Sequence, residues 1–518
     1  MDNSFSERAS LSNYRTDSLS FREHGNDSLN FRKIEDLSKP INTILEHLNY
    51  KNINVKNKLN DIIQNKKLIH NFDDSVDMII LYSIYEYDNL NCFVIFGKNK
   101  SNSYKHYTNY YQEDYILYGI KNLKFNVNKQ NNIIFKIMYQ LLFPRIIMKN
   151  KNDLYDFLKE NYAFLYNYCN SNNSNNSNNS ENSEKLENIL DITILFICKR
   201  NLTKKYPTSD IIEKDYVIFH PSTREEKWHA ASIFFCNESL NFIELQNFDF
   251  FLIKELEESK KMFLKYRKWI MNNIEPSYQH NFMVFSSTIL YLLGHRSMND
   301  LDLYVHTVSP EIQEKLREFT ENKAYSYIDF KVKSTSNWLN YWDTWLDEWA
   351  QKSGAKYFEE VLGNSKFHFY FLGVKVISLN CDITRRLIRN RPRAIADLIA
   401  LRKRYPYQIS IPSVPETYIK YIDVSSKSGG EIEELMKLNK ATYNEKNREI
   451  TFVCETDVNK FINTIIYALQ TRFRMQFTVS EIRRELKMPI LEKDINKDIN
   501  KYNNNERKKV KIIIKSKK

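Results

Sequence analysis

Glycine and proline are scarce in this chain, 9 and 11 among 518 residues. That scarcity excludes collagen-like and glycine- or proline-rich architectures, and leaves few residues suited to turns that need a left-handed backbone. Cysteine is scarce as well. The six present (Cys92, Cys169, Cys198, Cys236, Cys381 and Cys454) form no CxxC pair and no regular spacing. This argues against a zinc cluster or a disulfide framework and for a reducing compartment. Long apolar runs are missing too: the most apolar early stretch, 133–148, is broken by Lys136, Gln140 and Arg145. No leader and no membrane span are therefore expected, and the chain should be soluble and intracellular with no membrane partner.

What is present is a large apolar and aromatic share, 42% and 14%, enough for a sizeable interior. The length implies more than one core. A net charge of +12 favours a polyanionic partner; RNA and an anionic membrane surface both qualify, and nucleic acid is the favoured reading. Asn, Lys, Ile and Tyr are the residue types of A/T-rich codons, which makes their abundance a weak functional signal.

The overall pattern predicts an α/β (α+β) protein of several parts. Residues 1–39 repeat Asp17-Ser18-Leu19-Ser20-Phe21-Arg22 as Asp27-Ser28-Leu29-Asn30-Phe31-Arg32 without apolar periodicity and read as a disordered tail. Residues 40–254 read as a mixed domain. It starts with a helix carrying Ile41, Ile44, Leu45 and Leu48, followed by a hairpin of Met78–Tyr85 and Cys92–Phe96, then helices to Tyr168. Residues 170–184, almost pure Asn and Ser, form a low-complexity insertion. Strands are expected at Ile192–Cys198, Tyr216–His220, Ser232–Cys236 and Phe248–Ile253. Residues 255–405 open with a helix over Glu255–Ile274, acidic at its start and basic near its end, stopped by Pro276. A C-terminal domain follows over 406–494. The tail 495–518 ends with seven basic residues in 507–518 and no acid, suited to non-specific RNA affinity.

The chemistry concentrates after Phe282. A strand, Phe282–Phe285, ends in Ser286-Ser287; a short helix, Thr288–Leu293, is closed by Gly294; and a second strand runs through Asn299-Asp300-Leu301-Asp302-Leu303-Tyr304-Val305. Alternation on that strand puts Asp300 and Asp302 on one face about 7 Å apart, within reach of one or two divalent metals. The helix start beside them would supply hydroxyls and backbone N–H groups to a phosphate. After a predicted helix over Pro310–Phe319, a strand over Tyr325–Lys333 carries Asp329, the preferred third acid; Asp382 is its rival. His295 reads as a loop histidine. From Arg385 to Arg404 there are eight basic residues and one acid, Asp397, a run that reads either as a solvated face or as contacts to triphosphate and RNA backbone. Pro392 starts a helix whose apolar face is Ile395, Leu398 and Ile399. Trp338, Trp342, Trp345 and Trp349 form one helical stripe that suits packing, in the core or against a second copy, better than base stacking.

This constellation resembles the DNA polymerase beta-like nucleotidyltransferase superfamily. Its signature is an apolar residue, Gly, then Gly or Ser, a spacer of nine to thirteen residues, and an acid-apolar-acid strand. Here Phe285-Ser286-Ser287 is followed by twelve residues and Asp300-Leu301-Asp302-Leu303, with Ser286 where the family usually has Gly. The resemblance implies a polymerase beta-like palm, with Asp300, Asp302 and Asp329 as catalytic and metal-holding residues and Ser286 and Ser287 toward the triphosphate. Within the superfamily the chain is most similar to the poly(A) polymerase catalytic subunits of mimivirus-like giant DNA viruses, with poxvirus-type enzymes more distant. That likeness implies adenylyl transfer from ATP to mRNA 3′ ends with Mg²⁺ or Mn²⁺, as a homodimer in infected-cell cytoplasm. Other terminal nucleotidyltransferases, acting on tRNA, an oligoadenylate or a small molecule, and an inactive RNA-binding processivity subunit remain as alternatives.

Overall fold

In the computed structural model of the chain, the described residues are 74–97, 103–126, 133–146, 151–170, 189–246, 256–274, 279–298, 300–305, 314–315, 328–332, 348–356, 358–389, 391–405, 409–411, 419–423, 426–439, 442–444, 449–453, 455–488 and 490. The chain is a mixed α/β protein that divides into two compact units, Met1–Leu379 and Asn380–Lys518. Both expected tails, the Ile41–Leu48 helix, most of the Asn/Ser insertion and the Phe248–Ile253 strand lie outside the described residues.

The first unit begins with α1 (Asp74–Glu86) and β1 (Leu90–Gly97). The expected hairpin is thus half wrong: Met78–Tyr85 is helical, and the run is apolar because nearly every side chain in it is buried. Periodicity cannot separate a fully buried helix from a strand. Lys227 reaches across the α1–β1 connection, donating to the carbonyls of Tyr87, Asp88 and Leu90 at 3.5, 3.4 and 3.4 Å.

Next come α2 (Ser103–Tyr110), β2 (Tyr115–Asn126), α3 (Ile133–Leu142), α4 (Lys151–Asn161), α5 (Ala163–Asn170), β3 (Ile189–Lys199), β4 (Ile211–Ile212) and β5 (Tyr216–Phe219). Strand β2 interrupts the expected run of helices. Its inward face from Gly119 onward includes a lysine: Lys121 is buried against Asp77 at 2.6 Å and the Phe234 carbonyl at 2.9 Å. A charge at a core position hid the alternation. The five strands form an antiparallel sheet in the order β2-β3-β1-β5-β4.

Helices α6 (Arg224–Phe234), α7 (Asn237–Leu245) and α8 (Glu257–Asn273) follow. The expected strand Ser232–Cys236 is instead the end of α6 and its link to α7. The overlooked signal is Thr223-x-x-Glu226, since Thr223 Oγ1 caps the helix by accepting from Glu226 N.

A second sheet lies over 282–377, in the order β8-β7-β6-β10-β9. It holds β6 (Phe282–Phe285), β7 (Leu301–Val305), β8 (Ile328–Val332), β9 (His368–Phe371) and β10 (Val374–Ile377), with α9 (Ser287–Leu292) after β6 and α10 (Phe358–Gly363) before β9. Pairing is mixed: β7–β8 and β6–β10 are parallel, β6–β7 and β9–β10 antiparallel. The β9–β10 hairpin turns at Leu372-Gly373, both at positive φ. Three side chains grip that turn: Gln140 accepts from Leu372 N, Arg267 donates to Leu372 O, and Trp228 donates to Gly373 O at 2.7 Å.

The second unit contains α11 (Leu379–Arg389), α12 (Pro392–Arg404), β11 (Ile419–Asp423), α13 (Gly429–Asn439), β12 (Thr442–Asn444), β13 (Glu449–Val453), α14 (Glu455–Phe473) and α15 (Val479–Glu485). Its strands form an antiparallel sheet, β11-β13-β12. Pro392 sits in the first turn of α12, and Ile395, Leu398 and Ile399 are fully buried. Among the described residues no helix is long and apolar enough to cross a membrane.

Candidate active site

The strand–turn–helix–strand expected from the sequence forms as β6, α9 and β7. Leu301 and Leu303 are fully buried, Asp302 is half-buried and Asp300, one residue ahead of β7, is exposed. The aspartates therefore lie on the side away from the core.

Register adds a relation that spacing could not. Asp302 pairs with Phe285 on β6, the residue before Ser286-Ser287, and with Asp329 on β8. Adjacent strands run about 4.8 Å apart, so the backbones at Asp302 and Asp329 are direct neighbours. The side chain of Asp329 lies outside the described residues. Among the described residues no group of three or more His, Cys, Asp or Glu is gathered as a metal site.

Ser286 occupies the turn with φ 67° and ψ −122°. That region is open to glycine and costs an L-residue about 1–3 kcal/mol. Its side chain makes no capping bond to α9, which is only six residues long. Ser287, nearly buried, donates to the Asp300 carbonyl at 3.4 Å and so ties the start of α9 to the segment leading into β7. At the other end Gly294, φ 74°, closes α9 in a Schellman motif: His295 N donates to Leu290 O and Gly294 N to Tyr291 O, both at 2.8 Å. His295 is the residue after that cap, and its backbone serves the turn.

The 294–300 connection is pinned from α8. Ser259, fully buried, accepts from Met298 N at 2.9 Å and donates to Met298 O at 3.3 Å. Sequence reasoning missed Ser259, because its partner is 39 positions away and a lone serine in a helix carries no signal.

Asp382, the rival third acid, lies in α11 with no exposure. Arg385 holds one carboxylate oxygen at 3.0 and 2.8 Å and Arg386 the other at 2.7 Å. Burial alone would raise its pKa, but the Arg386 and Arg385 guanidinium groups hold it below the usual value. Arg386 also pairs with Asp397, which Arg472 meets at 3.2 Å. Two of the eight basic residues in 385–404 are thus internal struts, whereas Arg391, Arg393, Lys403 and Arg404 are exposed. Of the tryptophan stripe, Trp349 is buried; Trp338, Trp342 and Trp345 lie outside the described residues, as does most of Pro310–Phe319.

Comparison with protein-family models, with curated proteins and with solved structures finds no match to this chain.

Proposed function

We propose that the chain is a template-independent polynucleotide adenylyltransferase, a poly(A) polymerase with a nucleotidyltransferase palm, extending RNA 3′ ends from ATP. The observation that carries this reading is the register of Asp302 opposite Asp329, beside a Ser286 turn held in a backbone conformation made for glycine. Carboxylate oxygens are the donors that Mg²⁺ and Mn²⁺ prefer, so the residue types fit such an ion, with Asp300, Asp302 and Asp329 to hold it. Bound there, the ion supplies charge for the α-phosphate and acidifies the attacking hydroxyl. In the reaction, the RNA 3′-oxygen forms a bond to the α-phosphorus, the α–β bridging P–O bond breaks, pyrophosphate leaves, and the hydroxyl proton passes to solvent. The Ser286-Ser287 turn offers the triphosphate a hydroxyl and backbone amides. Asp382 serves this reading poorly as a third ligand, since both its oxygens are taken by guanidinium groups.

The test incubates the full chain with labelled ATP, CTP or UTP, an RNA primer and Mg²⁺ or Mn²⁺. Long tails from ATP that require RNA are expected, and Asp300→Asn with Asp302→Asn should slow tailing at least about 100-fold. Tailing unchanged by that pair removes this site from the mechanism. Transfer to a small-molecule acceptor instead of RNA refutes the polymerase reading.

A further inference from the structure

We infer that Ser259, on α8, is a positioning residue for the proposed metal site, fixing where the chain delivers Asp300; the inference rests on the metal-holding role proposed above for Asp300 and Asp302. Ser259 is the third residue of α8 and is fully buried. A serine further along a helix can turn its hydroxyl back onto the preceding turn, as Ser83 does in α1 by donating to Ile79 O at 2.7 Å. Ser259 has no full helical turn before it, so its hydroxyl is left to serve another segment. It takes up both backbone polar groups of one residue, accepting from Met298 N at 2.9 Å and donating to Met298 O at 3.3 Å.

Met298 is touched from a second side as well, since Thr288 of α9, also fully buried, donates to its Sδ at 3.5 Å. Asp300 then lies between two anchors, the Met298 backbone before it and β7 after it, where Leu301 and Leu303 are fully buried. Two residues reach at most about 7 Å, so the Met298 anchor bears directly on the direction in which Asp300 leaves the chain. Without the Ser259 hydroxyl, the Met298 N–H and C=O would be left buried and unpaired, a state that a chain relieves by moving its backbone to new partners. Asp302 does not share that dependence, because it sits inside β7 and is paired with Phe285 and Asp329. Ser259 therefore governs the spacing of the two carboxylates rather than the pairing of the sheet.

The experiment titrates Mn²⁺ alone into the full chain, without ATP or RNA, and follows the electron paramagnetic resonance signal of the free ion. Binding by the parent that Asp300→Asn with Asp302→Asn removes is expected. Ser259→Ala should weaken that binding about ten-fold, the size of loss seen when a residue that orients a metal ligand is removed. Ser259→Cys, close in size but weak as donor and acceptor, should weaken it about three-fold or more, and it serves where the alanine variant does not fold. Ser83→Ala removes a buried hydroxyl from α1 and should keep the affinity within about two-fold of the parent, because lost stability alone does not alter the affinity of chains that remain folded. Circular dichroism at the titration temperature identifies the folded variants. Affinity within about two-fold of the parent in the folded Ser259 variants, or an equal loss in Ser83→Ala, overturns the inference and leaves the metal site standing. A parent that binds no Mn²⁺, or binds it regardless of the Asp300 and Asp302 substitutions, refutes the proposed metal site and this inference with it.

Discussion

Ser286 shows what glycine poverty costs at single positions. With so few glycines, four described non-glycine residues occupy positive φ: Ser286, Leu372, Arg474 and Lys487. Arg474 and Lys487 take the left-handed position after α14 and α15 that glycine usually fills, the first with its own N–H donating to Gln470 O and the second with Met488 N donating to Arg483 O. Ser286 is strained further, because its ψ of −122° leaves the left-handed helical region altogether. Ser286→Gly should therefore raise stability by about 1 kcal/mol, relief of strain exceeding glycine's added unfolded-state entropy. Ser287→Gly, inside the helix, should lower it by about as much. Urea titration followed by circular dichroism checks both, and a drop in midpoint for Ser286→Gly contradicts the strain argument. The departure at Ser286 was legible in the sequence, and so was the alternation of outward-facing Asp300 and Asp302 with buried Leu301 and Leu303. The pairing of Asp302 with Asp329 was not, because register across separate strands is fixed by packing.

At the scale of elements, the β9–β10 hairpin shows how a short motif becomes an anchor. The turn is internal, and Trp228, Arg267 and Gln140 bring α6, α8 and α3 onto it. A Cβ on Gly373 would lie 2.6 Å from Trp228 Cδ1 and 2.8 Å from Met271 Cε, at φ 75°. Gly373→Ala should cost about 2–4 kcal/mol, from left-handed strain plus overpacking of a filled site. Gly354, φ 93° with nothing within 4 Å of its Cβ position, separates the two causes: alanine there meets strain alone. Calorimetric unfolding of both variants gives the difference, and equal losses would dismiss the packing contribution. Strands β1, β3, β5, β6 and β7 were legible from apolar runs bounded by turn residues. Helix α1 and strand β2 were misjudged for opposite reasons, one too uniformly apolar and the other carrying a buried lysine.

For the molecule as a whole, the interior holds a lysine that pairs with no carboxylate among the described residues. Lys375, between Val374 and Val376, has the alternation of a solvent-facing strand residue, yet it is buried. It donates to the carbonyls of His280 at 2.7 Å and Leu362 at 2.6 Å and to the Tyr82 hydroxyl at 3.3 Å, joining α1, α10 and the segment before β6. Burial pulls its pKa from the usual lysine range down to about 7, with Cys236 nearby pulling the other way. His280 and His368, facing the same interior, are pushed well below the ordinary histidine value by burial first and then by Lys375. Between about pH 7 and 10 the unfolded chain therefore carries a proton on this lysine that the folded chain lacks, so stability should increase as pH rises through that window. Lys227, lowered by burial to about 8, adds the same sign over the upper part. The expected gain is on the order of a few kcal/mol. Above about pH 8.5 buried Cys92 and Cys236, whose thiols burial pushes up, contribute the opposite sign. Unfolding free energies from urea titrations at pH 7, 7.5 and 8 therefore measure the lysine share, and Lys375→Met should flatten the rise to the part left by Lys227, whatever its absolute stability. A parent protein whose stability is level or falling between pH 7 and 8 would mean that the three hydrogen bonds keep Lys375 charged against the cost of its burial.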